Sequence, residues 1–422
     1  MKKLVTFLAA GMALTGAAAA QDLAVINGRV ITNTDQGQIE SGGVLIRDGV
    51  IVSVGANIEV PDGSVVIDAS GGWITPGLFA PVTQLGLVEV GAESSTSDSS
   101  ASESDFSVAL DVEDSFNPNG TYLATNRMEG ITRFAVVPST GHNLFGGRGA
   151  LGETSGGIDA LFETQSFVFA DLSQSGAARA GGSRAAAWAF LEAAFGDARA
   201  YPGRYSSGHG DALTRYDAAA LVDVVRGRIP LILEVDRAAD IRRAMRFAAE
   251  NVPVQLIIFG GAEAWMVADE LASSGIPVLI DPMRNLPSSF DALGSTLEAA
   301  ARLDDAGVTI AYTTQTASGY FNPRLLPQHA GNAVTNGVSW DAAFRAITLT
   351  PAEIYGVGDQ YGALAAGYQA DVVVWDGDPL EVMSAPSHVI IDGVQTDLTS
   401  RQTRLRDRYA DMDDTMPFAY RD

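Results

Sequence analysis

The chain has 422 residues, 46% hydrophobic and 18% charged, a mixture that folds into one large domain with an accessory module or into two to three ordinary domains. Its formal net charge is −24, and every basic residue after Lys2 and Lys3 is arginine; such a chain repels nucleic acid and anionic lipid, and its acidity reads as solubility rather than as a cationic partner. With no cysteine, disulfides, thiolate metal sites and a lipid-modified cysteine are excluded.

Lys2 and Lys3 precede an apolar run over 4–18 and the small residues Ala18, Ala19 and Ala20. This pattern predicts a signal peptide over 1–20, cleavage near Ala20–Gln21, and an exported, in a bacterium periplasmic, product. The run is too short for a membrane span, and no later stretch is long and apolar enough to cross a bilayer.

Residues 22–75 read as short strands, with tight hairpin turns predicted at Asn27–Gly28 and Asp48–Gly49. Residues 370–380 and 388–394 are β-rich again, which predicts one small domain built from 22–75 and 357–398. Between them, apolar runs at 77–83, 131–137, 148–153, 166–172, 230–236, 253–260, 277–281 and 308–314 have the continuous character of buried parallel strands, the third being the weakest. Helical patterns alternate with them. Residues 181–198 are Ala-rich, and 237–251 place Ile241, Ala244, Met245 and Ala248 on one face opposite arginines. In 350–356, Thr350 reads as a cap, Pro351 as the first helical residue, Glu353 as the capping-box partner and Gly356 as the stop. Strands alternating with helices over 76–356 predict an α/β fold, a (β/α)8 TIM barrel. The Ser-rich acidic segment 93–105 follows the first strand; it reads either as a lid or cation-attracting rim or as a solvated loop. The polar tail, 399–422, is expected to pack on a barrel flank or on another subunit.

The segments "VINGRVIT", "GGVLIRDGVIVSVG" and "IDASGGWITPGLF", with the long stretch "LTPAEIYGVGDQYGALAAGYQADVVVWDGDPL" and its Gly362–Asp371 pattern G-x-L-x-x-G-x-x-A-D, resemble the amidohydrolase superfamily. The resemblance implies a TIM barrel beside a composite β-sandwich, and hydrolysis of C–N bonds by water activated on one or two metal ions. It also implies ligands at strand ends: His-x-His on strand one, a carboxylated lysine on strand four, histidines on strands five and six, an aspartate on strand eight. Here strand one offers Val82 and Gln84, strand four has no lysine, strand five has Glu234, strand six has no histidine, and strand eight ends near Thr314 and Gln315. No metal ligand is therefore carried over.

The polar groups left at strand ends are Thr83, Gln84, Asp171, Glu234, Asp236, Asp281, Thr314 and Gln315, with His142 after strand two. Glu234, Gln84, His142 and Asp171 are the candidate catalytic residues; Thr83, Asp236, Asp281 and Gln315 are the candidate substrate contacts. Converging carboxylates can hold a divalent cation, or a partly buried Glu234 can act as a general base without a cofactor. The plainer alternatives are that Asp236 caps the helix beginning at Arg237 and that Glu234 pairs with an arginine. His142 and His209 sit in Gly-rich loops and read as surface groups, His388 as structural, and the glycines of 146–152 as allowing a bulge or close backbone approach. Two functional expectations follow: an exported hydrolase of small-molecule C–N bonds with a non-standard site, or a catalytically silent member that binds a ligand or pairs with an active relative. The sequence is silent on oligomeric state and leaves a homo-oligomer open under either.

Overall fold

The structure, a computed structural model, describes residues 22–203, 212–315 and 320–410. The segment read as a signal peptide and His209 lie outside the described residues. Sixteen strands are found among the described residues. The N-terminal part supplies β1 (Leu23–Ile31), β2 (Gln38–Arg47), β3 (Val50–Gly55), β4 (Val65–Asp68) and β5 (Trp73–Pro76). The middle supplies β6 (Leu78–Thr83), β7 (Ile131–Val136), β8 (Phe145–Glu153), β9 (Leu161–Asp171), β10 (Leu231–Val235), β11 (Leu256–Gly260), β12 (Val278–Ile280) and β13 (Ile310–Tyr312). The C-terminal part supplies β14 (Val372–Trp375), β15 (Pro386–Ile391) and β16 (Val394–Gln395).

One eight-stranded sheet joins both chain ends in the order β16-β15-β14-β5-β1-β2-β3, with β4 on β1. Its two outer hairpins meet, since Ala370 N–H donates to the carbonyl oxygen of Gly49 and Gly393 packs against Gly49. The sheet therefore folds over its own core of Val25, Val44, Ile46, Ile51, Ile74, Val372 and Ile390, giving the composite sandwich. Asp48 and Gly49 have φ of 49° and 80° and close the β2–β3 hairpin as expected. Asn27–Gly28 does not make a hairpin. Asn27, at φ 60°, lies inside β1, where the register against β2 shifts, so the dipeptide makes a bulge in one continuous strand.

The second sheet runs β6 to β13 in chain order, an almost closed TIM-type barrel whose strands match the eight apolar runs. It departs from the all-parallel expectation at β8, which is antiparallel to both β7 and β9. Connection length explains this: only 137–144 and 154–160 separate these strands, too short for the dozen or more residues that a parallel crossover needs. Gly149 on β8 lets the backbone close up, because a Cβ there would sit 2.1 Å from the Phe167 ring and 2.6 Å from Val136 O.

Elsewhere helices cover the barrel. Arg184–Ala200, Arg215–Val225 and Ala238–Glu250 present Leu191, Phe195, Leu221, Ile241, Ala244 and Phe247 to the outer core. The helix Leu349–Ile354 starts one turn's fraction earlier than expected. Its N-cap position is Thr348, Thr350 is inside and buried, and Glu353 pairs with Arg345 instead of closing a capping box. Gly356, at φ 79°, follows the helix end as expected. Tyr355 then enters the barrel from below. It stacks on Phe79 with centroids 6.0 Å apart, lies 5.5 Å from Phe167, and donates its hydroxyl proton to Pro81 O at 2.5 Å. With Leu151, Ile232 and Ile257 these rings fill the barrel interior.

Sandwich and barrel are joined by one buried charge cluster. Arg133 on β7 donates Nε and a terminal nitrogen to the two oxygens of Asp371, at 2.6 and 2.9 Å, and reaches Asp392 at 2.6 Å. Its guanidinium lies 4.2 Å from the Tyr361 ring centroid. The helix Arg401–Ala410 has no buried residue and touches the barrel flank through Gln402 and Thr125.

Candidate functional site

The upper ends of the strands enclose a cavity of about 200 Å³, lined among others by Val82, Gln84, Ser139, Phe169, Asp171, Arg179, Glu234, Phe259 and Tyr320. A larger groove of about 710 Å³ lies below, among Pro230, Leu256, Pro277 and Thr309, at the starts of β10 to β13. It carries few polar groups, and catalytic residues in this architecture come from the upper strand ends, so the smaller cavity is the candidate site.

On β6 the register slips between Ala80 and Thr83. Val82 and Gln84 then point inward together, while Thr83 points outward and donates its hydroxyl to Ala135 O at 2.9 Å. Thr83 is fully buried there and does not line the cavity, which corrects its assignment as a substrate contact. Gln84 donates its amide to the Ser139 hydroxyl at 2.6 Å, which leaves its carbonyl oxygen toward the cavity wall.

Glu234 comes from β10, and its carboxylate has no hydrogen-bond or ion-pair partner among the described residues. The residue keeps a partial opening to the cavity and is otherwise enclosed by protein. This enclosure, with the charges of Asp171 and Asp236 on either side, pushes its carboxyl up to about 8; Arg284 and Arg179 pull the other way and lose. Its neighbours are paired. Asp171, at the end of β9, takes Arg179 at 2.6 Å and Ser173 N–H at 2.8 Å. Asp236 takes both terminal nitrogens of Arg284, at 2.6 and 2.9 Å, and Ala262 N–H at 3.1 Å. Asp236 is therefore not the cap of the following helix. That helix starts from Arg237, and its first N–H, on Ala238, is taken by Glu263 at 3.0 Å. Nor does Glu234 pair with an arginine: Arg284 gives both terminal nitrogens to Asp236, and Arg179 turns one of its own to Asp171.

Tyr320 closes the cavity on the strand-eight side. Its carbonyl accepts Gln84 N–H, and its hydroxyl is 3.5 Å from Gln315 Nε2. Burial and the adjacent Glu234 hold the phenol well above its ordinary range, so it stays a hydrogen-bond donor. Gln315 thus reaches the site through Tyr320, and its own Oε1 is buried without a partner.

Three expected residues stand elsewhere. Asp281 lies behind the cavity, fully buried, holding His329 Nδ1 at 2.9 Å and Met283 N–H at 2.9 Å. His142 is exposed, with Nδ1 2.8 Å from Ser102 O. It fastens the acidic segment 93–105, which also reaches the cavity rim where Ser139 N–H donates to Ser99 O at 2.7 Å. His388 sits in β15 of the sandwich. Arg179, Arg284, Tyr320, Ser139 and His329 escaped the sequence reading. The one available signal was that all basic residues of the body are arginine, the side chain suited to paired carboxylates.

The donor set does not fit the metal implied by the family resemblance. The strand positions that line the cavity, with those just past strand ends, include Val82, Gln84, Val137, Phe169, Asp171, Glu234 and Phe259. The Asp171 and Asp236 carboxylates are spent on guanidiniums that would repel a cation, and no group of three or more His, Cys, Asp or Glu suited to a metal occurs among the described residues.

Residues 170–401 match the family model described as the amidohydrolase family. A solved amidohydrolase from Thermotoga maritima MSB8 superposes with a TM-score of 0.80 at 25% identity, over 89% of this chain and 99% of that one. A molinate hydrolase structure superposes with a TM-score of 0.56 at 18% identity, over 90% and 95% of the two chains, a likeness of fold alone. Amidohydrolase tasK of Hapsidospora irregularis is 37% identical over 113 residues, 26% of this chain; the match spans only 11% of that relative's length.

Proposed function

The chain belongs to the amidohydrolase family, and from that premise we propose that it hydrolyses a carbon–nitrogen bond in a small non-peptide or amide substrate at a site built around Glu234. The observation that carries this reading is the partnerless carboxyl of Glu234 inside the cavity, with its proton affinity moved near neutrality. As a carboxylate, Glu234 takes a proton from water as the water oxygen bonds to the amide carbon. It returns that proton to the nitrogen as the C–N bond breaks, so water is added across the bond and Glu234 is regenerated. The Tyr320 hydroxyl lines the same cavity and keeps its proton, so it is a donor for the oxygen that gains charge.

The test is a panel of small amides, lactams and dipeptides assayed with the wild-type chain and with Glu234→Gln. Turnover is expected only in the wild type. Its kcat/KM should rise about tenfold per pH unit below pH 8 and level off above it, because the base must be unprotonated. A second reading, a silent member that binds without turnover, is favoured by Val82 and Gln84 standing where the resemblance implies two histidines, and by Phe169 and Phe259 lining the cavity. A melting-temperature shift with a panel compound, with no turnover of any, would select it. Export is proposed from Lys2, Lys3 and the apolar run after them; N-terminal sequencing of the secreted product should begin near Gln21.

A further inference from the structure

Two arginines flank Glu234, and they are spent to different degrees. Arg284 gives both terminal nitrogens to Asp236, whose Oδ1 also receives Ala262 N–H, so this pair is close to saturation and lies outside the cavity wall. Arg179 lines the cavity and gives one nitrogen only, to Asp171 Oδ2 at 2.6 Å, while Asp171 Oδ1 is satisfied by Ser173 N–H. The Nε–H and the second terminal nitrogen of Arg179 have no acceptor among the described residues, and 30% of its side chain is open. A guanidinium edge is a planar fork of parallel donors that matches a carboxylate. Val82, Val137, Phe169 and Phe259 supply an apolar wall beside it, and the cavity is smaller than the roughly 300–1,000 Å³ that drug-sized ligands occupy.

We propose that the cavity is a carboxylate subsite, in which the free edge of Arg179 binds the carboxylate of a small ligand and Glu234 faces that ligand's amide. The proposal rests on the hydrolase reading for its substrate class, N-acyl or ureido carboxylates, but not for binding itself. Charge accounting leaves room for an anion. Asp171 with Arg179, and Asp236 with Arg284, are two neutral pairs, and Glu234 with its proton adds no negative charge, so nothing in this set repels an anion that takes the unspent N–H groups of Arg179. Asp171, Asp236, Arg179, Arg284 and Tyr320 face Glu234, and its enclosed carboxyl, pushed up to about 8, loses its proton near neutrality. Once ionised it repels a bound anion, so affinity should fall as pH rises through about 8.

The experiment is calorimetric titration of the full chain with N-acetylglycine and, as its uncharged counterpart, N-acetylglycinamide. N-acetylglycine is expected to bind at least about tenfold more tightly at pH 6.5. Arg179→Lys, which keeps a counter-ion for Asp171 but removes the fork, should cost at least about tenfold of that affinity. Glu234→Gln should bind N-acetylglycine with no decline between pH 7 and 9. Equal affinity for the two probes, no binding of either, or a folded Arg179→Lys protein that binds as wild type would overturn the subsite. If Arg179→Lys does not fold, the wild-type comparison of the two probes still decides. Tight carboxylate binding with no turnover would sink the hydrolase reading alone. Turnover of uncharged amides with no carboxylate preference would sink the subsite alone.

Discussion

The molecule holds arginine–aspartate pairs in two settings. At the seam between barrel and sandwich, Arg133 spends Nε and a terminal nitrogen on Asp371 and Asp392, stacks on Tyr361, and is almost entirely enclosed. At the mouth, Arg179 makes one hydrogen bond and keeps an open edge beside a carboxyl that has no partner. The chemistry of the pair is the same in both places; the number of unspent donors differs. A saturated pair fixes one domain against another. An unsaturated pair next to a strained proton equilibrium is available to something that arrives from solvent.

Substitutions can break or sharpen that contrast. The largest effect is expected at the seam. Arg133→Met leaves Asp371 buried without its partner and should lower unfolding free energy by about 3–5 kcal/mol in denaturant titration, with part recovered when Asp371 is replaced by Leu as well. Next comes Glu234. Its folded-state proton affinity is raised, so the native state holds a proton that the unfolded chain releases between about 4.5 and 8, and stability contributed below 4.5 is lost as pH rises to 8. Denaturant midpoints measured across this window should fall with pH by up to about 1.4 kcal/mol per unit, and Glu234→Gln should flatten that slope. At Gly176 a Cβ would sit 1.9 Å from Asp171 O, so Gly176→Ala should displace the end of β9 and cost about 1–3 kcal/mol, with loss of any ligand affinity. The smallest change in stability is expected for Arg179→Lys, about 1 kcal/mol or less, although it should cost at least about tenfold in carboxylate affinity.

What was legible in the chain follows the same division. The eight barrel strands are continuous apolar runs, the Asp48–Gly49 hairpin is written in two residues, and the composite sheet is announced by β-rich ends. These are local signals. The antiparallel turn of β8 was hidden because its direction depends on the lengths of two short connections and not on its composition. Asn27–Gly28 has the dipeptide of a hairpin but lies where β1 runs on past β2, so neighbours across the sheet decide for a bulge. At the mouth, Glu234, Gln84 and Asp171 were reachable from strand-end position alone. What Asp236 does was not: its partner Arg284 is 48 residues away, and only the barrel's closure brings them together. Arg179, eight residues after Asp171, belongs to a short helix that no periodicity marked. Strand-end position picks out four carboxylates, of which Asp171 and Glu234 line the cavity and Asp236 and Asp281 do not; which is left without a cation depends on long-range pairing.

The aromatic plug beneath the cavity has a further consequence. Tyr355, Phe79 and Phe167 stop the barrel below the mouth, so nothing can pass through it from end to end. Among the described residues the cavity is closed on the side of the plug and opens away from it. Whatever is held against the inner wall leaves only after whatever stands between it and the opening, so the order of departure follows from depth and not from affinity.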